Sequence, residues 1–253
     1  MLYLYQAQAN LLLDDPQAAL QDAQKANQMD ISLLAAYRTL GEIYHQLGQD
    51  AKSIPPLEIY ARYATSDSTA PALLGIAYAR SGQLEQALEW LNKALEMNEQ
   101  QAQAHAWRGL VLLEQEEAAD AYQDFDRALL LDGKFFIASL GRARALLALK
   151  YPTEAFDQFN RVEKLAESSV EQGEYLYYYA QALEQVGSLV PALNAWKELL
   201  EIPPAELKSE WQQMARQRVA ALSSPTPTAT FTRTPTPTRT ATLTRTPTRR
   251  STP

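Results

Sequence analysis

The chain has 253 residues with a formal net charge of −7, and 46% of the residues are hydrophobic, which predicts a globular protein with one or two buried cores. The complete absence of cysteine excludes disulfides, thiolate metal sites and a cysteine nucleophile. No run of about 18 apolar residues could span a bilayer, and the first residues lack the basic segment and the small-residue cleavage site of a signal peptide.

A repeat of 34 residues organises the chain up to about residue 203. Gly41, Gly75 and Gly109 follow one another at this spacing, and the small residues Ala7 and Ala143 extend the series at both ends. Such a period is typical of repeat proteins, in which each unit packs on its neighbours. A second series of small residues and a third series of bulky residues share the spacing: Ala19, Ser53, Ala87, Ala121 and Ala155, and Ala23, Leu57, Leu91, Phe125 and Phe159.

Each repeat is predicted to form two antiparallel helices. In residues 72–100, apolar residues recur at helical spacing on both sides of the turn Ser-Gly-Gln. We expect Gly75 and Ala87 to let the two helices approach closely, with Leu91 and Tyr78 filling the space beside them. This pattern predicts an all-α fold.

Six repeats are predicted in residues 1–203, with three extra residues near 166–174 before Ala192 and Trp196 resume the pattern. Met1 falls inside the first helix of the first repeat, so we expect that helix to be short and uncapped. This position also predicts that the chain is a fragment or has an unrecognised upstream start.

The arrangement of a bulky residue, Leu-Gly, Tyr, and later Ala and an aromatic four residues on, resembles the tetratricopeptide repeat (TPR). Residues 37–44 and 71–78 match its first helix, and Ala121 with Phe125 matches its second. Pro204 stands where the family's closing proline belongs. The resemblance implies a right-handed α-solenoid whose first helices line a concave groove, where extended peptides or partner helices bind.

Two segments depart from the repeat. Pro55 and Pro56 fall inside the second helix of the second repeat, so we expect that helix to start late, near Ile54. The alternatives are a tolerated defect and a bend that shapes the groove. Residues 204–222 have one apolar face and are predicted to form a capping helix, because the last repeat of a solenoid otherwise exposes its apolar side.

The residues offer little for catalysis. The two histidines, His45 and His105, lie in helical segments about two repeats apart, and their spacing provides no partners for a metal. No phosphate-binding glycine loop or nucleophile motif is present. We therefore expect a protein that is not an enzyme and that needs no cofactor, metal or small-molecule substrate.

The register of the first helices predicts which side chains face the groove. The family's carboxylate clamp, made of Lys and Asn, is not reproduced, because residues such as Ala72 occupy its positions. The run of tyrosines in residues 174–183 is expected either to pack between repeats or to contact a ligand. The predicted groove residues are Arg38, Glu42, His45, Ile76, Arg80, Trp107, Leu110, Arg144, Tyr177, Tyr178 and Gln181, with Leu113, Leu140 and Glu184 as further candidates.

Residues 223–253 contain five arginines and no acidic residue, which leaves 18 basic and 30 acidic residues in the rest of the chain. Threonine alternates as in a strand, but repeated prolines and scarce apolar residues favour an extended, disordered tail. The alternatives for this tail are a spacer, an electrostatic arm for acidic polymers or for the chain's own acidic body, and a platform for O-linked sugars. Nucleic acid is the poorer partner, because the body is acidic.

The leading hypothesis is a scaffold or adaptor that binds a protein or peptide segment in the groove, with the tail as a tether. One alternative is a structural protein that self-associates through the ends of the solenoid. Another is the regulatory part of a longer multidomain protein. The Thr/Pro-rich composition of the tail favours a bacterial envelope or secreted location, and the cytoplasm is the alternative.

Overall fold

The computed structural model describes residues 1–223, which form thirteen α-helices and one short 3₁₀ turn. Of the predicted tail, residues 223–253, only Ser223 is described, and residues 224–253 lie outside the described residues. The first twelve helices form six consecutive pairs: α1 (Leu2–Leu12) and α2 (Pro16–Met29), α3 (Leu34–Gln46) and α4 (Asp50–Tyr63), α5 (Thr69–Arg80) and α6 (Leu84–Met97), α7 (Ala102–Glu114) and α8 (Ala118–Leu131), α9 (Phe136–Ala148) and α10 (Pro152–Val162), and α11 (Ser169–Gln185) and α12 (Leu189–Glu201).

The pairs stack into a right-handed α-solenoid, so the predicted all-α fold class is confirmed. Each second helix packs on its own first helix and on the first helix of the next repeat. Among the described residues, none of the helices is both long and apolar enough to cross a lipid bilayer.

The core lies between the paired helices, where the bulky series of the repeat meets the glycine series. A Cβ atom at Gly75 would lie 2.7 Å from Cγ of Leu91, and one at Gly109 would lie 2.9 Å from the ring of Phe125. Gly41 has the same relationship to Leu57. The glycine therefore makes room for the bulky residue of the second helix, which is why the two series recur together.

The turn inside each pair uses a left-handed backbone conformation at the same register. Gly48, Gly82 and Gly187 have φ of 67°, 77° and 79°. The other three repeats place side chains there, because Asp14, Glu116 and Lys150 have φ of 59°, 65° and 67°. Glycine adopts this conformation without the steric strain that a Cβ atom introduces.

The expected late start of α4 is wrong, because the helix begins at Asp50 and continues through Pro55 and Pro56. The prolines remove the N–H groups that would bond the carbonyls of Ala51 and Lys52. Both of those residues are exposed, so water can bond their carbonyls instead. Burial of Pro56 adds apolar contact that offsets the loss further.

The sixth repeat absorbs its three extra residues in α11, which is 17 residues long. Its start is fixed by a capping box, in which the Ser168 hydroxyl accepts from the Glu171 N–H and the Glu171 carboxylate accepts from the Ser168 N–H. At the other end of the solenoid, α1 has 11 residues and no side-chain cap at Met1.

Residues 204–222 do not form one continuous helix, contrary to the prediction. A 3₁₀ turn spans Pro204–Glu206, Leu207 is extended, and α13 covers Ser209–Ser223. The break lets the Leu207 side chain reach Gly173 in α11, where a Cβ atom would overlap it. Adjacent prolines before this point also disfavour a helix that continues from α12.

Candidate functional site

The six first helices lie side by side along the inner face of the solenoid. Most neighbours among them contact each other: α1 with α3, α5 with α7, α7 with α9, and α9 with α11. The exception is α3 and α5, which barely touch. A cavity of about 580 Å³ opens between these two helices.

This α3–α5 cavity has an apolar floor and a polar rim. Its floor includes Leu73 and Ile76 of α5 and Leu57 of α4, and its rim includes the charged residues Glu42 and Arg80. Three glutamines from three different first helices also line it: Gln8, Gln46 and Gln103. Such a combination of apolar surface and a few convergent polar groups is typical of a binding site.

The proline-containing stretch of α4 forms one wall of the cavity. Ser53 and Leu57 flank Pro55 and Pro56 in the sequence, and both line the cavity. The Ser53 hydroxyl is satisfied internally, because it donates to the Asp50 carbonyl at 2.6 Å. The residues on either side of the two prolines thus line the cavity, whereas Pro55 and Pro56 themselves are not among its lining residues.

The carboxylates on the rim are already paired. Nε of Arg38 donates to Oε1 of Glu42 at 3.0 Å, and Nδ1 of His45 lies 2.7 Å from Oδ1 of Asp50. A second cavity of about 540 Å³ continues from Glu42 past Arg38 and Tyr60. The inner face is therefore open on both sides of α3.

Arg80 ends α5 and projects towards the next repeat. Its guanidinium carbon lies 4.5 Å from the centre of the Trp107 ring, a cation–π contact. Burial lowers the pKa of Arg80, and the charge of Asp50 opposes that effect. Nε1 of Trp107 is buried, and no acceptor for it is present among the described residues.

A second cluster lies farther along the inner face. The guanidinium carbon of Arg144 is 4.0 Å from the centre of the Tyr178 ring, and Nη2 of Arg144 donates to Oε1 of Glu114 at 3.1 Å. Burial raises the pKa of Glu174, although the nearby positive charges of Lys208 and Arg144 act in the opposite direction. Arg144 therefore interacts with Tyr178, Glu114 and the charge of Glu174.

A family model described as TPR repeat matches residues 75–116. That segment is therefore similar to a TPR repeat, and the chain resembles tetratricopeptide repeat proteins. The match covers the second half of α5 through the end of α7, which is the part of the solenoid that contains Arg80 and Trp107. No curated protein matches the sequence.

Several solved structures share the fold of this chain. PilW, described as a widely conserved type IV pilus biogenesis factor, is 16% identical with a TM-score of 0.68, over 84% of this chain and 96% of PilW. A tetratricopeptide repeat protein from Parabacteroides merdae is 20% identical with a TM-score of 0.64, over 87% of this chain and 89% of that one. The APC/C hetero-tetramer Cut9–Hcn1 has a chain that is 18% identical with a TM-score of 0.75, over 88% of this chain and 42% of that one.

The solenoid distributes the predicted groove residues over three places. Four of them, Glu42, His45, Ile76 and Arg80, line the α3–α5 cavity, although Ile76 is itself buried in its floor. Arg38 adjoins that cavity through Glu42, and Trp107 adjoins it through Arg80. The pair Arg144 and Tyr178 forms the second cluster.

The third place is the junction with the last helix. Tyr177 stacks on Trp211 of α13, with ring centres 5.1 Å apart. Glu184, one of the further candidates, accepts from Nε1 of Trp196 and is ion-paired with Arg218. Tyr177 and Glu184 thus pack against the last two helices of the described chain, α12 and α13.

Two predicted residues belong to none of these clusters. Leu110 is half-buried and packs against the core around Phe125, and Gln181 is exposed. The prediction missed several cavity residues, including Gln8 of the first repeat. Gln8 stands one repeat length before Glu42, so extending the register would have found it.

The histidines do not assemble a reactive centre. Nδ1 of His105 lies 2.9 Å from Oδ1 of Asp124, and Nε2 lies 2.9 Å from the Glu99 carbonyl. Arg108 donates to both oxygens of the same Asp124 carboxylate, at 2.7 Å each. This buried network ties α7 to α8. Within residues 1–223, no group of three or more His, Asp or Glu could hold a metal ion.

Proposed function

We propose that this chain is a non-catalytic scaffold that binds an extended segment of a partner protein along the inner face of the solenoid. The observation that carries the proposal is the α3–α5 cavity, because it combines an apolar floor with a rim of polar side chains that an extended chain can contact. The tetratricopeptide fold itself is typical of proteins that bind proteins or peptides.

The size and lining of the cavity suit the side chains of a peptide better than a folded domain. A volume of about 580 Å³ lies within the range of small-ligand pockets. The glutamine amides on the rim can pair with the N–H and C=O groups of an extended backbone. An anchoring side chain on the floor and backbone hydrogen bonds on the rim would together fix the register of the partner.

Aromatic and arginine side chains flank the cavity on the side of α7. The pair Arg80 and Trp107 lies beside it, and Arg144 with Tyr178 lies farther along. These residue types contribute most to binding energy in protein interfaces. We therefore propose that the partner segment passes from the cavity towards α11.

A peptide array incubated with the full chain tests the proposal. We expect Trp107→Ala to lose at least about tenfold in affinity for the peptides that bind, because hot-spot tryptophans contribute 2 kcal/mol or more. Trp90→Ala is the matched control. Trp90 is also half-buried and also contacts a cation, since Nζ of Lys93 lies 4.6 Å from its ring centre, but it stands on the second helix α6.

The two variants separate groove binding from other binding. Loss of affinity with Trp107→Ala and retention with Trp90→Ala support the inner face as the binding surface. Equal retention by both variants would show that the peptides bind elsewhere. A circular-dichroism melt of each variant confirms that the fold persists.

A second candidate function is assembly through the first helix. The helix α1 contains no charged residue, and Leu2 and Leu12 are 67% and 89% exposed. An uncharged apolar helix face is typical of a surface that packs against another helix. We expect Leu12→Glu to reduce the apparent mass in light scattering, and a monomeric wild-type chain at all concentrations would rule this function out.

The composition of the tail supports a location in the bacterial envelope or outside the cell, with the tail as a spacer. Fractionation of the source cells tests this location. Recovery of the whole chain in the cytoplasmic fraction would contradict it.

A further inference from the structure

Arg80 differs from the other arginines of the first helices. Four of the five are paired with acids: Arg38 with Glu42, Arg108 with Asp124, Arg142 with Asp126, and Arg144 with Glu114. Arg80 has no hydrogen bond and no ion pair to any residue in the range 1–223, although it is partly buried. Arg80 lines the α3–α5 cavity, and its guanidinium carries five N–H donors.

We propose that the α3–α5 cavity binds an acidic side chain within an extended partner segment, with Arg80 as its counter-ion and the apolar floor as the site for the neighbouring side chain. This inference rests on the proposed function and names the chemistry of the partner at one position.

Among the charged side chains that line the cavity, Arg80 is the one without a hydrogen bond or an ion pair to any of residues 1–223. The two carboxylates on the rim, Glu42 and Asp50, are engaged by Arg38 and His45 at 3.0 and 2.7 Å. Trp107 stabilises the guanidinium through its ring, but a ring face leaves the N–H donors without acceptors. Burying a cation without a hydrogen-bonding partner is unfavourable, so a carboxylate that reaches Arg80 recovers that free energy.

The indole of Trp107 provides a second unsatisfied donor at the same place. Its Nε1 is buried and has no acceptor within residues 1–223, and the Arg80 guanidinium lies over the same ring. A buried donor without a partner is rare in folded proteins. Movement of Arg80 towards a bound carboxylate would uncover the indole edge and let it donate to the same ligand.

The position of the cavity favours an acid inside a segment over a terminal carboxylate. Residues of α1, such as Gln8, line one side, and Gln103 of α7 lines the other. The inner face continues beyond both sides, so a chain can enter and leave the cavity along it. The apolar floor beside Arg80, formed by Leu73 and Ile76, selects an apolar neighbour of the acid.

Three fluorescent nonapeptides in an alanine and serine background test the inference with the full chain. The first is blocked at both ends and has a central Leu-Glu-Leu. The second replaces Glu by Gln, and the third has the Gln sequence with a free terminal carboxylate. Fluorescence anisotropy gives the affinity, and the indole N–H signal of Trp107, assigned with Trp107→Phe, reports where each peptide binds.

We expect the Glu peptide to bind at least about tenfold more tightly than the Gln peptide, as hydrogen bonds between two charged groups are roughly twice as strong as neutral ones. Arg80→Gln should abolish this preference, and Arg80→Lys should keep part of it. Arg62→Gln, on an exposed residue of α4, is the matched control and should change nothing.

Equal binding of the Glu and Gln peptides to the wild-type chain overturns the inference. The same holds if the preference survives in Arg80→Gln, or if the free terminal carboxylate supplies the whole preference. None of these outcomes decides whether the groove binds a peptide. That question is tested separately by the peptide array with Trp107→Ala, which does not depend on an acidic residue.

Discussion

The ring of Phe125 fills the space that a side chain at Gly141 would need. A Cβ atom at Gly141 would overlap the ring edge, and Gly109 approaches the same ring from the other helix, with a Cβ distance of 2.9 Å. Phe125 is completely buried. One side chain of α8 thus fixes the spacing of α7 and α9, and through them the geometry of the inner face.

We expect Gly141→Ala to lower the free energy of unfolding by about 1–3 kcal/mol, the usual effect of overpacking a core. Alanine also has a higher helix propensity than glycine, by up to about 1 kcal/mol, but we expect the cost of overpacking to exceed that gain. Urea unfolding of the full chain measures the change. Gly133→Ala is the control, because a Cβ atom there meets only the Leu129 carbonyl at 3.7 Å. Equal stability of the two variants would contradict the packing account.

At the left-handed turns, we expect a substitution to glycine to stabilise the chain. Lys150 has φ of 67° at the register where Gly82 has 77°. We expect Lys150→Gly to stabilise the chain by roughly 0.5–1 kcal/mol through relief of strain, and Gly82→Ala to destabilise it by about 1 kcal/mol. Melting temperatures of both variants check the signs, and a loss of stability in Lys150→Gly would refute the account.

The sequence predicts the repeats well because their causes are local. The period of Gly41, Gly75 and Gly109 reflects pairwise packing inside each repeat, which recurs at every step. Gly141 lies outside that series, and its role depends on a side chain of the preceding repeat, so periodicity could not reveal it. Similarly, the open space between α3 and α5 depends on how two repeats stack, and the start of α4 depends on water reaching exposed carbonyls. The side chains of Arg38 and Arg80 stand in equivalent helices, yet only the fold shows that one is paired and the other is not.

The last helix, α13, is held against the array by an aromatic contact. We therefore expect that it can unfold while the other helices stay folded. Trp211 is buried and stacks on Tyr177. We expect Trp211→Ala to cost about 3–5 kcal/mol within the terminal unit and to release α13 before the rest of the array unfolds, as repeats couple only to their neighbours. Hydrogen exchange should show early exchange in Ser209–Ser223. Met214→Ala, on a more exposed residue of the same helix, should leave that exchange unchanged.

The buried carboxylate of Asp124 makes the array sensitive to acid. Burial alone would raise the pKa of Asp124, but hydrogen bonds from Arg108 and His105 outweigh it, and the pKa lies below its ordinary value of 3.8. Its stabilising contribution is therefore present above pH 3.8 and is lost as the pH falls through the lowered pKa. We expect Asp124→Asn to cost about 3 kcal/mol at neutral pH, as does breaking other buried pairs. The variant should also lose stability less steeply in acid, and a parallel pH profile would contradict this role.

Glu174 provides the opposite dependence on pH. Burial raises the pKa of Glu174 above its ordinary value of 4.5, despite the positive charges of Lys208 and Arg144. The folded state then holds a proton that the unfolded state has released, so stability falls as the pH rises from 4.5 through the raised pKa. Glu174→Gln should remove this fall and leave the chain modestly more stable at neutral pH than the wild type. Urea unfolding at a series of pH values separates the two carboxylates, because Asp124→Asn changes the acid limb and Glu174→Gln changes the limb above it. If Glu174→Gln destabilised the chain at neutral pH, the attraction of the charges of Lys208 and Arg144 would outweigh the burial of the carboxylate.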